Sequence, residues 1–206
     1  MSNLKKLVLF TAVLSVSNLA LANSLDPYQG WFLGVGLNTT KIKYSDNNNS
    51  ASGSYSAGGE VLGGYSFTFA DGFVGQIEEK LRISNSKTDY SYYHYDGTQT
   101  TIKDGFKEKY NGSIAYLQGY KVTEEFVPYI KLGFNFSKYD IKNEVRSHLG
   151  IDGDIGIGFL YGVGAKYNLT ENSTMGIEWT ATKISGHDTD FDLKTNTFSL
   201  NYTYHF

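Results

Sequence analysis

Apolar and polar side chains alternate along most of this chain with a period of two residues. The last segment shows the pattern clearly, because Phe198, Leu200, Tyr202 and Tyr204 alternate with polar residues up to Phe206. Such alternation is typical of β-strands that have one apolar face. Eight segments share it, at residues 29–41, 55–67, 73–84, 109–122, 127–139, 157–169, 174–184 and 195–206. The sequence therefore predicts an all-β fold of eight strands.

The connections between these segments alternate between long and short. Long connections span residues 42–54, 85–108, 140–156 and 185–194, and short ones span residues 68–72, 123–126 and 170–173. Membrane barrels place short turns at one end and long loops at the other. An even number of strands then leaves both termini at the end with the short turns. We therefore predict an eight-stranded antiparallel up-and-down transmembrane β-barrel, with periplasmic termini and extracellular long loops.

The polar stripe of the strands indicates which face points inward. It combines many glycines with seven charged residues, namely Glu60, Glu78, Lys80, Arg82, Lys131, Lys166 and Glu178. Glycine covers an exposed surface poorly, whereas small residues and paired charges suit the inside of a narrow tube. Eight strands leave an interior that side chains just fill. We therefore expect these charges to form a structural network in a closed lumen, with the large apolar residues facing lipid.

Two polar residues fall on the apolar stripe, Glu79 in the third predicted strand and Gln118 in the fourth. A charge on the lipid face of a barrel is costly near the bilayer midplane. The pattern leaves two alternatives for Glu79. It lies near a membrane rim, or a β-bulge turns its side chain away from lipid.

The N-terminal segment has the composition of an export signal. Basic residues precede an apolar run from Leu7 to Val16, and Ala20-Leu21-Ala22 supplies the small residues that a signal peptidase reads. The apolar run is too short to cross a bilayer as a helix. We predict a signal peptide at residues 1–22 and an outer-membrane β-barrel at residues 23–206.

Composition excludes several classes of function. The chain has no cysteine, so it can form neither disulfides nor a thiolate metal site, and its net charge of −3 gives no indication of a nucleic-acid partner. His187, Asp188, Asp190 and Asp192 carry possible ligand atoms, but their spacing matches no complete ion-binding loop. We predict no metal and no cofactor.

The four histidines argue against catalysis. His94, His148 and His187 fall in predicted loops, and His205 is expected to face the lumen at the periplasmic end. None stands beside a strand-borne serine with an orienting acid on the outer-leaflet side, as a lipid A-modifying barrel enzyme would require. We therefore predict that the protein is not an enzyme.

Three segments carry a resemblance to a known family. They are Val127-Pro128-Tyr129-Ile130-Lys131-Leu132-Gly133, Tyr161-Gly162-Val163-Gly164-Ala165-Lys166-Tyr167 with its short following turn, and Tyr202-Thr203-Tyr204-His205-Phe206. The mature chain resembles the small outer-membrane barrel family that includes the OmpA transmembrane domain and the OmpX/Ail-type proteins. This resemblance implies outer-membrane lipid and lipopolysaccharide as surroundings. It also implies that barrel-assembly machinery reads Tyr202, Tyr204 and Phe206 as a C-terminal signal. We expect a monomer.

The connection at residues 85–108 contains the best candidate for surface recognition. Tyrosine, serine and glycine supply rigid contact area and adaptable hydrogen bonds in many binding loops. The candidate residues are Tyr90, Tyr92, Tyr93, His94 and Tyr95. The alternative is a strand extension whose aromatic rings touch lipopolysaccharide or stack on neighbours. We expect a structural barrel whose loops adhere to host surface or matrix molecules, with a narrow channel for ions or small solutes as the alternative function.

Overall fold

The computed structural model describes residues 28–46, 50–70, 72–93, 98–149, 155–185 and 191–206, so the predicted signal peptide lies outside the described residues. These residues form ten strands and one short helix. The strands are β1 (Gly30–Asp46), β2 (Ser50–Ser52), β3 (Ser56–Phe69), β4 (Phe73–Ile83), β5 (Lys87–Tyr93), β6 (Gln99–Tyr120), β7 (Phe126–Ile141), β8 (Ile155–Thr170), β9 (Ser173–Ser185) and β10 (Phe191–His205). The helix, α1, spans Asn143–Leu149.

Eight of these strands close into a barrel. All except β2 and β5 pair antiparallel with the next barrel strand in chain order, and β10 pairs with β1. The short connections β3–β4, β6–β7 and β8–β9 lie at one end, which we call the short-turn end. The opposite end is called the long-loop end. The predicted eight-stranded antiparallel up-and-down barrel is confirmed.

The pairing is staggered around the barrel. A row of paired residues that begins at Ser173 on β9 passes through Tyr204 and Leu33, and crosses β3, β4, β6, β7 and β8 before it returns to β9 at Lys183. The return point lies ten positions further along the strand. Such a stagger requires strands tilted by about 40° to the barrel axis. The same row therefore climbs from the short-turn end to the long-loop end.

A band of exposed apolar side chains surrounds the barrel. Leu37 is 70% exposed, Phe134 is 63% exposed and Ile177 is 62% exposed. A protein in water gains stability by burying such side chains, so this band is stable only in contact with lipid. The inward-facing residues are mainly polar or charged. The predicted inversion of a transmembrane barrel is therefore correct.

Of the two alternatives for residues 85–108, the strand extension is correct over most of the segment and the loop is wrong there. The segment contains β5 and the first half of β6, which pair with each other beyond the end of β4. Two features conceal these strands in the sequence. Their outward residues are mostly polar, and the register shifts between Thr88 and Tyr90 and between Glu108 and Tyr110, which interrupts the alternation. The β5–β6 hairpin thus extends the barrel wall at the long-loop end.

Candidate functional site

Three carboxylates and three lysines fill the middle of the lumen. Each is at most 6% exposed, and their formal charges cancel. They come from β3, β4, β7, β8 and β9, so the network crosses the barrel from wall to wall. Its members are Glu60, Glu78, Glu178, Lys80, Lys131 and Lys166. The structure brings together six of the seven charged residues that the sequence assigned to a lumen network.

The ammonium groups of Lys80 and Lys131 hold the carboxylates together. Lys80 Nζ lies 3.0 Å from Glu60 Oε1 and 2.8 Å from Glu178 Oε1. Lys131 Nζ lies 2.5 Å from Glu78 Oε1 and 3.0 Å from Glu178 Oε2. Buried ions are tolerated when they are paired and their remaining lone pairs are satisfied. Glu178 is therefore the central acceptor of the network.

Neutral side chains complete the network, and no charge marks them along the chain. Tyr129 Oη donates to Glu178 Oε2 at 3.0 Å. Lys166 Nζ donates to Gln76 Oε1, and it lies 5.2 Å from the centre of the Phe32 ring and 5.8 Å from that of Tyr129. Aromatic faces attract cations at such distances. An amide and two aromatic rings thus surround the ammonium group of Lys166.

Arg82, the seventh predicted member, lies in a separate pair nearer the long-loop end. Its Nη2 is 3.8 Å from Glu108 Oε2. Asn111 Nδ2 and Ser137 Oγ also donate to Glu108 Oε1, at 3.2 and 3.0 Å. Sequence reasoning missed Glu108 because the register shift beyond it reverses the inward and outward positions of the strand.

Glycines in the barrel wall give these side chains their room. A Cβ atom at Gly164 would lie 2.4 Å from the ring carbon and from the hydroxyl of Tyr129. A Cβ atom at Gly36 would lie 2.0 Å from the side-chain oxygen of Asn201 and 3.0 Å from Glu60 Cγ. Contacts this short would force the packing apart. The lumen is therefore filled closely enough that larger residues at these positions would collide with the network.

An apolar cluster closes the lumen at the long-loop end. Tyr44 stacks on Phe106 with ring centres 5.4 Å apart, and Tyr90 meets Tyr44 edge-on at 5.2 Å. Val145 of α1 is fully buried in the same cluster. We call this set the plug, and it consists of Ile42, Tyr44, Tyr90, Phe106, Tyr139, Ile141, Val145, Ile184 and Leu193.

Tyr90 was predicted to lie on the recognition surface, but it belongs to the plug. Tyr90 is only 1% exposed, because it occupies an inward position on β5 where the wall extends beyond the band. It cannot offer its ring to an external ligand. Tyr92 and Tyr93 belong to β5, whereas His94 and Tyr95 lie outside the described residues. Tyr92, Tyr93, His94 and Tyr95 remain as the candidate recognition residues.

A shallow polar pocket lies beside the β5–β6 hairpin. It has a volume of about 310 Å³, and its lining includes Ser52, Gly53, Asp89, Lys87 and Asp104. Lys87 Nζ donates to Asp104 Oδ2 at 2.8 Å, which lowers the pKa of the Asp104 carboxyl from its ordinary value. This part of the outer surface is therefore polar and carries both signs of charge.

Three exposed lysines lie side by side at the long-loop edge of the apolar band. Lys43 is paired in register with Lys194, and Lys194 is paired with Lys183. One carboxylate lies among them, with Asp192 Oδ2 at 3.0 Å from Lys183 and 3.9 Å from Lys194. Like charges in direct register destabilise a sheet. We call Lys43, Lys183 and Lys194 the lysine row; it has an excess of positive charge that an external anion could balance.

The predicted assembly signal lies on the outer face at the short-turn end. Tyr202 is 44% exposed and Tyr204 is 46% exposed, and the Tyr204 and Phe206 rings meet edge-on at 5.2 Å. All three aromatic residues thus belong to the apolar band or its lower edge.

The described residues offer little for catalysis or for metal binding. No group of three or more His, Asp or Glu among them is placed to hold a metal ion. His205 is 2% exposed and lies beside the Phe32 ring, at 5.4 Å between ring centres. Residues 94 and 186–190, which include two other histidines, lie outside the described part. Nor does any described helix have the length and apolarity to span a membrane.

Comparison with known proteins identifies the same architecture. The family described as outer membrane protein β-barrel domain matches residues 7–206. Neisserial surface protein A is similar in structure, with a TM-score of 0.51 and 13% identity over 84% of this chain and 97% of that one. OprG from Pseudomonas aeruginosa has a TM-score of 0.48 and 15% identity over 89% of this chain and 99% of that one. No curated protein matches in sequence. At these identities the structural likeness shows the fold alone.

Proposed function

The chain belongs to the outer membrane protein β-barrel family, and from this premise we propose that it is a non-enzymatic barrel whose long-loop end contacts molecules outside the cell. Membership in the family supports the outer membrane as its location. The long-loop end would then be extracellular and the short-turn end, with both termini, periplasmic. Long outer loops and short periplasmic turns are the rule for such barrels.

The observation that carries this proposal is the combination of a filled lumen with a projecting hairpin. The buried ion network occupies the middle of the barrel, and the plug lies above it. The β5–β6 hairpin meanwhile reaches beyond the apolar band. Binding residues commonly lie on loops that a rigid scaffold positions. A closed barrel with an extended outer wall fits a role at the surface better than transport through its interior.

The same packing weighs against the narrow channel. A conducting pore needs a continuous wet path, and its ions must bind weakly enough to leave. Here Lys80 and Lys131 are paired with carboxylates at 2.5 to 3.0 Å, and Tyr90 and Phe106 are buried in the plug. An ion entering from the long-loop end would have to displace apolar side chains and then break ion pairs.

Lipopolysaccharide is the partner that we propose for the lysine row. Its phosphate groups lie at the outer boundary of the hydrocarbon layer, and the row lies at the corresponding edge of the apolar band. Lys183 and Lys194 are about half exposed, so their ammonium groups can reach a headgroup. Barrel-assembly machinery is the partner proposed for Tyr202, Tyr204 and Phe206.

The proposed adhesive role is tested on the hairpin tip. Replacing Tyr92, Tyr93, His94 and Tyr95 by serine should lower binding of the reconstituted protein to immobilised extracellular-matrix proteins by at least about tenfold, because aromatic anchors dominate such contacts. Tyr90 is kept, since it belongs to the plug. Binding is measured by surface plasmon resonance.

Tyr55→Ser serves as the matched control. Tyr55 is another tyrosine near the long-loop end, 51% exposed, and it lies outside the hairpin. This control should bind like the unaltered protein. If the unaltered protein binds none of the matrix proteins, or if the tip variant binds as well as the control, the adhesive role is wrong.

A further inference from the structure

Glu79 points outward from the barrel at mid-height. On β4 the outward residues Ile77 and Leu81 flank it, and both are exposed. The pairings of β4 with β3 and β6 run without interruption through Glu79, which is paired with Gly63 and Ile114. No β-bulge therefore turns its side chain away from lipid. The β-bulge that the sequence allowed at Glu79 is therefore wrong.

The stagger of the barrel fixes the depth of Glu79. The residues paired in register with Glu79 form a row around the barrel. Followed through β3, β1 and β10, this row reaches β9 at Ser173, at the short-turn end. Followed the other way through β6, β7 and β8, it reaches β9 at Lys183, a member of the lysine row. Each path crosses four strand pairs. Because the row climbs evenly, Glu79 lies halfway between these levels, near the middle of an apolar band about 25 Å high. The rim position is therefore wrong as well.

The outer surface next to Glu79 has little side-chain cover, because glycines occupy two outward positions of β3. Gly63 of β3 is paired with Glu79, and Gly59 lies four residues away on the same outward face. A Cβ atom added at Gly59 would meet only one atom, at 3.9 Å. The described structure gives Glu79 neither an ion pair nor a side-chain hydrogen bond. Ionisable groups within the membrane are costly and usually face protein or a cavity instead of lipid, so an intramembrane carboxyl indicates a functional contact.

We propose that the outer face of β3, β4 and β6 around Glu79 is where a second copy of this chain docks in the membrane. The bilayer holds both copies at the same depth and in the same orientation, so a two-fold axis along the membrane normal brings equivalent residues together. A carboxylic acid carries one donor and one acceptor, so two Glu79 side chains in their acid form can exchange two hydrogen bonds across the interface. Gly59 and Gly63 allow close approach of the two walls. The proposal replaces the monomer expected from the sequence.

The test uses the absence of cysteine from the chain. Leu81→Cys places a thiol near Glu79, and a flexible bismaleimide, which spans the sideways offset that the strand tilt gives the two thiols, should yield a covalent dimer in lipid vesicles. Ile177→Cys is the matched control, since Ile177 is outward on β9, four strands away in either direction. It should yield little dimer under the same conditions.

A second substitution tests whether the dimer depends on the Glu79 carboxyl. Added to Leu81→Cys, Glu79→Leu should reduce the dimer about tenfold, the worth of two side-chain hydrogen bonds within a membrane. Glu79→Gln should retain it, because an amide also pairs with itself. Glu79→Leu removes a polar group from the lipid face, so folding should not suffer. Equal dimer from Leu81→Cys and Ile177→Cys, or dimer that persists in Glu79→Leu, would overturn the proposal, as would a monomer in every variant.

Discussion

Replacing Glu178 by glutamine should lower the free energy of unfolding by about 3 to 5 kcal/mol. Breaking a buried ion pair from one side costs this much, because the remaining charges stay buried without compensation. Glu178 accepts from Lys80, Lys131 and Tyr129, so its loss affects three partners. Glutamine keeps the size of the side chain and removes only the charge. The measurement is urea unfolding in lipid vesicles, followed by tryptophan fluorescence.

Lys87→Ala is the control for that experiment. The Lys87–Asp104 pair has the same N–O distance as the Lys80–Glu178 pair, 2.8 Å, but both of its side chains are nearly half exposed. Exposed pairs are worth less than about 1 kcal/mol. If Glu178→Gln costs no more than Lys87→Ala, the network does not hold the barrel together.

Placing arginine at Ile177 should cost about 2 to 4 kcal/mol. Ile177 faces outward in the apolar band, four residues from the short-turn end of β9, and is 62% exposed. A cation on the lipid face near the midplane of a barrel is destabilising by that amount, and the penalty falls towards the membrane surface. Reversible unfolding in vesicles gives the value directly.

The matched variant is Ile155→Arg. Ile155 also faces outward and is 50% exposed, but it opens β8 at the long-loop end. The expected cost is about 0 to 1 kcal/mol. Equal costs at the two positions would show that Ile177 does not lie deep in lipid.

Much of the fold was predictable because each barrel strand has one environment on each face. Lipid outside requires apolar residues, and a narrow lumen inside requires small or charged ones. In β7, Phe134 faces outward, whereas Lys131 and Gly133 face the lumen. The sorting of long and short connections follows from the membrane itself. These constraints act locally along the chain, so the sequence shows them.

Other features depend on contacts between distant parts of the chain. Tyr90 belongs to the plug only because β5 stands opposite Tyr44 of β1, which no local pattern reveals. Glu108 was missed because the register shift beyond it changes which side chains face inward. The partners of the lumen lysines, such as Gln76 for Lys166, lie far away along the chain. The depth of Glu79 likewise required the complete register of the barrel.

The central claim is that the apolar outer face meets hydrocarbon, and the two tryptophans of this chain allow a direct test. Trp179 lies on the outer face between the levels of Ser173 and Lys183, whereas Trp31 is the second residue of β1 at the short-turn end. Two single-tryptophan variants, Trp31→Phe and Trp179→Phe, are reconstituted with lipids brominated at different depths of the acyl chain. Bromine near the bilayer centre should quench Trp179 most strongly, and bromine near the headgroups should quench Trp31. Fluorescence from Trp179 that brominated acyl chains leave unchanged would contradict the account.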